Sequence, residues 1–214
     1  MIEAVIFDMD GVLVDSERFI CEAAIKMFAE HGLTVQPEDF LPFVGAGENR
    51  YVGGPAEKYG FPVDIERDKA RTYAIYAEIV RGRLRPLPGV HEFFAKCEAR
   101  GLRLALATAA DEVKMTVNLR EIGLPPERFD AVVHGLDVTR HKPDPQAFEL
   151  AAKRLGAPPG HCLVVEDAVN GVTAAKAAGA RCLALTTSFS EDELAGADWH
   201  ANTLADAPDA VLDW

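Results

Sequence analysis

Residues 3–16 have the sequence EAVIFDMDGVLVDS. Residues 3–7 form an apolar run long enough for one buried β-strand, and the run leads directly into two aspartates, Asp8 and Asp10. Residues two apart in an extended chain point to the same side, so both carboxylates can face one small volume at the end of the strand. Because neighbouring carboxylates repel each other, they favour a cation between them or a proton on one of them. The alternative is an acidic turn without a special role, since Asp is common in turns.

The composition is that of a globular protein. The chain has 214 residues and 49% hydrophobic residues, enough for one large domain or for one domain with a smaller one inserted into it. The net charge is −12, from 34 acidic and 22 basic residues, which disfavours nucleic-acid binding. Apolar runs stop well short of the roughly 18 residues that a membrane span needs, and Met1 leads directly into the first strand. We therefore expect a cytoplasmic monomer that binds neither nucleic acid nor membrane.

Four cysteines are scattered along the chain and contain no Cys-x-x-Cys pair, namely Cys21, Cys97, Cys162 and Cys182. This spacing favours buried thiols over a disulfide framework or a zinc site.

The pattern of apolar residues changes once along the chain. Residues 16–82 contain helical spacings and no convincing strand, and a proline-marked connection follows at 83–89. After Val90, helices and short apolar strands alternate. The predicted helices are 90–100, 111–122, 144–155, 169–178 and 190–195, and the predicted strands are 103–108, 130–134, 162–165 and 182–185, with a closing strand and helix at the end. This alternation predicts an α/β fold, in which a parallel sheet is covered on both faces and a helical segment is inserted after the first strand.

Polar residues follow several of the predicted strands. Asp8 and Asp10 follow the first, Thr108 ends the second, and Glu166 and Asp167 end a third, while Lys142 lies in a turn before a helix. Each has an ordinary structural explanation, such as a helix cap, a solvated surface charge or an acidic helix start. However, function in an open parallel sheet gathers at the carboxyl ends of the strands. The convergence of four segments at one edge therefore predicts a functional site.

The order and spacing of these segments resemble the four motifs of the haloacid dehalogenase superfamily. The first motif is the strand followed by DMDGVLVDS at 8–16, and the second is the strand that ends in Thr108. The third is KPDP at 142–145, and the fourth is VVEDAVNG at 164–171. The resemblance covers the whole chain and implies a Rossmann-like catalytic core at 1–15 and 84–214, with an all-helical cap domain at 16–83.

The resemblance also implies roles for these residues. Asp8 would attack phosphorus to form an aspartyl phosphate, and Asp10 would act as general acid and base. Thr108 and Lys142 would bind the phosphoryl group. The implied cofactor is Mg²⁺, held by Asp8, Asp10 and Asp167 and supported by Glu166.

The helical insertion places the chain beside the capped members of the superfamily, which include β-phosphoglucomutase, phosphoglycolate phosphatase and sugar phosphatases. The cap loop supplies further substrate-binding candidates, in addition to Thr108 and Lys142, namely Gly45, Glu48, Asn49 and Arg50. A glycine pair before a helix can cradle an anion, although an ordinary turn has the same composition.

Two positions favour a phosphatase within this group. Where the mutase has a His in the first cap helix, this chain has Ile20, and an alignment without a gap places Glu48 where the mutase has an Arg for a second phosphate. A shift of two residues would instead place Arg50 there. We therefore predict a Mg²⁺-dependent phosphatase that hydrolyses small phosphorylated metabolites, such as sugar or polyol phosphates. The alternatives are a β-phosphoglucomutase-type isomerase and a non-catalytic interaction module.

Overall fold

A computed structural model describes residues 1–43 and 47–214. These residues form a six-stranded parallel sheet in the order β3-β2-β1-β4-β5-β6. The strands are β1 (Ala4–Phe7), β2 (Arg103–Ala107), β3 (Ala131–Val133), β4 (Cys162–Glu166), β5 (Arg181–Leu185) and β6 (Trp199–Ala201). All four residues of β1 are buried, because the strand lies between β2 and β4 and both of its faces are covered. This position explains why the first strand is continuously apolar.

Seven α-helices lie within the described residues. They are α1 (Glu17–Glu30), α2 (Glu48–Lys58), α3 (Ile65–Val80), α4 (Val90–Ala99), α5 (Glu112–Glu121), α6 (Gln146–Leu155) and α7 (Val169–Ala177). The first three follow one another between β1 and β2, as the sequence predicts, while the later helices alternate with the strands. The exact residues at which a core and a cap would be divided stay a prediction.

The apolar side chains of α1 account for the packing of the inserted helices. The apolar residues of α1 that recur on one face of the helix are buried, namely Phe19, Ile20, Ala23, Ala24, Met27 and Phe28. Phe28 packs against Phe40 and Phe61, with ring centroids 6.3 and 6.2 Å apart. Under the sheet, Phe7 of β1 stacks with Phe94 of α4 at a centroid distance of 6.0 Å. The helical insertion and the sheet therefore each have aromatic packing of their own.

The predicted α/β fold with a parallel sheet is confirmed. Two elements near the end of the chain differ from the prediction. Residues 191–196 form turns and not the helix predicted at 190–195. Leu194 is the buried apolar side chain of this segment, and it packs alone against the sheet side of the core. One buried residue cannot offset the cost of nucleating a helix. The closing strand is β6, and short 3₁₀ helices follow it in place of an α-helix.

No helix in the described ranges is long and apolar enough to cross a membrane.

Candidate functional site

The pairing register of the sheet brings three of the predicted segments together. Phe7 of β1 pairs with Leu106 of β2 on one side and with Val165 of β4 on the other. The residues that follow these strands therefore lie side by side at the carboxyl edge of the sheet. Asp8, Thr108, Glu166 and Asp167 are all buried there. The sequence-based prediction that these segments converge agrees with this geometry.

Lys142 reaches the same point from the turn before α6. Its ammonium donates to Oδ1 of Asp8 at 2.5 Å, to Oε1 of Glu166 at 2.7 Å and to the carbonyl of Ala107 at 3.3 Å. The other oxygen of Glu166, Oε2, accepts the backbone N–H groups of Asp167 and Ala168 at 2.8 and 2.9 Å. Glu166 therefore fixes both the lysine and the loop that carries Asp167.

Burial and mutual repulsion dominate the electrostatics of these carboxylates. Burial raises the pKa of Asp8, the charge of Lys142 opposes that rise, and the charge of Glu166 adds to it. Burial likewise raises the pKa of Asp167, and the charges of Glu166 and Asp8 raise it further. Burial alone would lower the pKa of Lys142, but Asp8 and Glu166 outweigh that effect and raise it. The site thus holds an excess of negative charge that a further cation would relieve.

The turn after β1 lies directly against Asp167. Gly11 has φ +80°, which favours glycine, and a Cβ at this position would lie 1.9 Å from Oδ2 of Asp167. The hydroxyl of Ser188 donates to the same oxygen. Asp167 is therefore confined beside the backbone at Gly11.

Asp10 is held through both of its carboxylate oxygens. Oδ1 accepts a hydrogen bond from the hydroxyl of Ser16, and Oδ2 lies 3.0 Å from the ammonium of Lys114 on α5. The Asp10 side chain is 35% exposed, in contrast to the buried Asp8. Asp8 and Asp10 thus have different environments at one end of the same strand.

These groups line a cavity of about 790 Å³. Its floor contains Asp8, Asp10, Thr108, Lys142 and Asp167, and its wall includes Ile20, Glu48 and Tyr51 from α1 and α2. Thr108 accepts the N–H of Ala110 at its Oγ1, at 3.1 Å, which orients the hydroxyl. The cavity is bounded by both the sheet edge and the helical insertion.

The four candidates of the cap loop have different positions. Glu48 lines the cavity, and its Oε1 lies 3.6 Å from Nζ of Lys114. Asn49 instead accepts a hydrogen bond from Lys69 at 2.8 Å, and Arg50 donates to Glu57 at 2.8 Å on the exposed side of α2. Neither Asn49 nor Arg50 is part of the cavity wall. Gly45 lies outside the described residues.

Sequence reasoning missed several residues of this cavity. Tyr51 donates to Oε1 of Glu17 at 2.7 Å on the cap side, and burial raises the pKa of Glu17. Lys114 was not recognised either, although a signal exists. It stands four residues before Asn118 in the predicted helix 111–122 and next to the buried Met115, so polar side chains occupy the inward face of that helix.

The family model "Hydrolase: haloacid dehalogenase-like hydrolase" matches residues 2–179 of the chain. Among curated proteins, the chain is 42% identical over 195 residues to the Arabidopsis thaliana protein SUPPRESSOR OF QUENCHING 1, chloroplastic. The aligned region covers 89% of the chain but only 18% of that protein. The chain thus spans only a small part of the length of that protein. The chain is also 33% identical to the phosphorylated carbohydrates phosphatase of Thermotoga maritima, over 83% of the chain and 82% of that protein.

The fold is also similar to that of solved structures. CbbY from Rhodobacter sphaeroides in complex with phosphate superimposes with a TM-score of 0.87 at 27% identity, with full coverage of both chains. A mutant of the same protein, in complex with xylulose-(1,5)bisphosphate, superimposes equally well. The match over residues 2–179, together with these relatives, shows that the chain belongs to the haloacid dehalogenase-like hydrolases, in the subgroup that contains CbbY and β-phosphoglucomutase relatives.

Proposed function

We propose that the protein is a Mg²⁺-dependent phosphatase that hydrolyses small phosphorylated sugars or polyols through an aspartyl phosphate on Asp8. The observation that carries this proposal is the contact of Lys142 with Asp8 at 2.5 Å on the floor of the cavity. An anionic nucleophile can approach an anionic phosphoryl group only where nearby charge offsets their repulsion. Lys142 supplies that charge as a compact ammonium.

The proposed reaction has two steps. A carboxylate oxygen of Asp8 forms a bond to phosphorus while the bond from phosphorus to the leaving oxygen breaks, and Asp10 gives that oxygen a proton. Asp10, now a carboxylate, then takes a proton from a water molecule that attacks the phosphorus. The water oxygen forms a bond to phosphorus while the bond from phosphorus to the Asp8 oxygen breaks, so inorganic phosphate leaves and Asp8 is regenerated as a carboxylate. Thr108 would donate its hydroxyl to a phosphoryl oxygen during both steps.

The residues around Asp167 fit a magnesium ion. Mg²⁺ prefers oxygen ligands, and the carboxylates of Asp8 and Asp167 with the backbone carbonyl of Asp10 form such a set. In the described part of the chain, no three His, Cys, Asp or Glu side chains are arranged so that they could hold a metal ion by themselves, so a cation here would also depend on the backbone oxygen and on water. The ion would neutralise charge on the phosphoryl group. Glu166 would not be a direct ligand, because both of its oxygens already accept hydrogen bonds from Lys142 and from two backbone N–H groups. It would instead support the site by holding Lys142 and the loop that carries Asp167.

The cap side of the cavity suits hydroxyl groups better than a second phosphate. Glu48 and Glu17 both line this region, and Arg50 is directed away from it toward Glu57. Carboxylates accept hydrogen bonds from hydroxyls but repel phosphate. The relative from T. maritima is named for phosphorylated carbohydrates, which supports the same substrate class.

The test is the release of inorganic phosphate from a panel of phosphorylated sugars and polyols with Mg²⁺, beside an Asp8→Asn variant. We expect release with the wild type, none with Asp8→Asn, and loss of release when EDTA removes the metal. Conversion of β-glucose 1-phosphate into the 6-phosphate without phosphate release would identify a mutase instead. No turnover of any kind would favour a binding protein.

A further inference from the structure

Lys114 is a buried cation that the proposed reaction does not use. It lies in the first turns of α5, and its side chain is only 6% exposed. Its ammonium lies 3.0 Å from Oδ2 of Asp10 and 3.6 Å from Oε1 of Glu48. A buried ammonium is costly unless it is paired, so these two carboxylates account for its presence.

The two partners come from different parts of the chain. Asp10 belongs to the turn after β1, and Glu48 begins helix α2 of the insertion. Lys114 therefore connects the sheet edge to the helical insertion across the cavity. Burial alone would lower the pKa of Lys114, but Asp10 and Glu48 more than offset this effect and keep the lysine charged.

Asp10 needs such a partner because its own surroundings are open. Its side chain is 35% exposed, so packing alone does not fix its rotamer. Ser16 holds one oxygen and Lys114 holds the other. With both contacts present, the carboxyl plane has a defined orientation toward the cavity. Proton transfer requires a donor and acceptor within hydrogen-bond reach, so this orientation matters for the chemistry.

We propose that Lys114 is a positioning residue that holds Asp10 for proton transfer to the leaving oxygen, and that Glu48 at the start of α2 fixes Lys114 from the side of the helical insertion. This inference rests on the proposed phosphatase function. Within the described residues, the ammonium of Lys114 pairs with Asp10 and Glu48 and not with Asp8. Its effect should therefore appear where a leaving group needs a proton, and be small where it does not.

The leaving group provides the test. Activated aryl phosphates, such as p-nitrophenyl phosphate, expel an anion that is stable without a proton, whereas alkyl phosphates need the proton. In Lys114→Met, we expect kcat/KM for propyl phosphate, an alkyl phosphate without further hydroxyl groups, to fall roughly 10- to 100-fold, and kcat/KM for p-nitrophenyl phosphate to stay within about 3-fold. Because kcat/KM reports the steps up to phosphoryl transfer, later hydrolysis of the phosphoenzyme does not mask the difference. Lys114→Arg, which keeps the charge, should recover much of the activity on the alkyl phosphate.

Lys69→Met is the matched control. Lys69 also joins the insertion to the core, through its 2.7 Å contact with Asp111, but it has no contact with Asp10. Its loss should change kcat/KM for the two substrates by the same factor. An equal effect of Lys114→Met on both substrates, or no effect, would overturn the positioning role.

A second variant covers the case in which Lys114→Met fails to fold, as judged by its thermal unfolding. Lys114→Ala would then be assayed with added ethylammonium, which should restore turnover of the alkyl phosphate selectively, and restoration of both substrates alike or of neither would reject the inference. A wild-type protein that releases no phosphate from any substrate would instead reject the proposed function, so the two failures are distinguishable.

Discussion

Nζ of Lys142 lies between two carboxylates, 2.5 Å from Oδ1 of Asp8 and 2.7 Å from Oε1 of Glu166. The three side chains come from two strand ends and a turn that are far apart in sequence. Removal of one member of a buried charged set leaves the others uncompensated, which costs more than the contact itself contributes. The lysine thus has two consequences, because it keeps the proposed nucleophile oriented and it limits the repulsion between Asp8 and Glu166.

Lys142→Met tests the first consequence. The variant keeps the length of the side chain but removes the charge, so we expect kcat/KM for phosphate release to fall by at least about 100-fold. Lys142→Arg should not restore activity, because a planar guanidinium does not match the compact geometry around Asp8. Steady-state kinetics measure both. Lys153→Met, on the exposed surface of α6, is the control, and it should behave like the wild type. Comparable losses of kcat/KM in Lys142→Met and Lys153→Met would show that Lys142 has no specific role in the reaction.

Gly171→Ala tests how Glu166 is held. A Cβ on Gly171 would lie 1.9 Å from Cδ of Glu166, so the carboxylate would have to move away from Lys142. In an exposed helix, Gly→Ala would stabilise the protein by about 1 kcal/mol. At position 171 the clash with Glu166 outweighs this gain, so we expect the free energy of unfolding to fall by about 1–3 kcal/mol. The displaced carboxylate should lower kcat/KM roughly 10- to 100-fold.

Gly160→Ala is the control for that substitution. The nearest atom to a Cβ at Gly160 is 3.9 Å away, so this variant should keep both stability and activity. Chemical denaturation and phosphate-release kinetics of the two variants provide the comparison. If Gly171→Ala proved as stable and active as Gly160→Ala, the close packing of Glu166 against α7 would contribute neither to stability nor to activity.

The fold and the floor of the site could be predicted because their signals are local. The apolar run 4–7 is continuous since β1 is central, and the polar residues follow the strands in sequence. Because parallel strands end at the same edge of a sheet, residues that follow different strands in the sequence are expected to lie close together. Asp8, Thr108 and Asp167 could be brought together in this way without any knowledge of side-chain contacts.

The cap side of the site could not be predicted in the same way. Arg50 and Glu48 are two residues apart, but their directions depend on distant partners, since Arg50 contacts Glu57 and Glu48 approaches Lys114. Helix spacing gives the relative angle between two residues and does not say which face meets the core. The missing helix at 190–195 has a similar origin, because its apolar pattern contains a single buried residue, Leu194.

Asp39 should make the stability of the helical insertion depend on pH. Its carboxylate accepts the N–H of Gln36 at 2.8 Å and the hydroxyl of Tyr59 at 2.8 Å, and it pairs with Lys58. The backbone N–H of Gln36, followed by Lys58, lowers the pKa of Asp39 to about 2 from its ordinary value of 3.8. A carboxylate with a lowered pKa stabilises the folded state above its unfolded pKa, and this stabilisation disappears as the pH falls toward the folded pKa.

Asp39→Asn therefore has a pH-dependent effect. We expect the wild type to be more stable than the variant at pH 6, and the difference in the free energy of unfolding to shrink steadily between about pH 5 and pH 2. Urea denaturation at several pH values measures it. Asp192→Asn, at an exposed turn, corrects for the general effect of one fewer negative charge. A difference that stays constant over this range would show that the charge of Asp39 contributes nothing.

Glu48→Gln tests whether this side chain selects for hydroxyl groups. Glu48 is mostly buried in the cavity wall, and burial raises its pKa, although the charge of Lys114 opposes the rise. A charged acceptor binds a hydroxyl more strongly than a neutral amide does, by about 1 kcal/mol or more. We therefore expect the ratio of kcat/KM for glycerol phosphate over propyl phosphate to fall roughly 5- to 10-fold in Glu48→Gln.

The comparison between these two substrates separates Glu48 from Lys114. Both are alkyl phosphates that need a proton on the leaving oxygen, so a loss of proton transfer lowers both alike and leaves their ratio unchanged. Only a lost contact with the hydroxyl groups changes the ratio. Glu57→Gln makes the same chemical change on the exposed side of α2, where Glu57 pairs with Arg50, and it should leave the ratio unaltered. An unaltered ratio in Glu48→Gln as well would mean that the substrate hydroxyls are recognised elsewhere in the cavity.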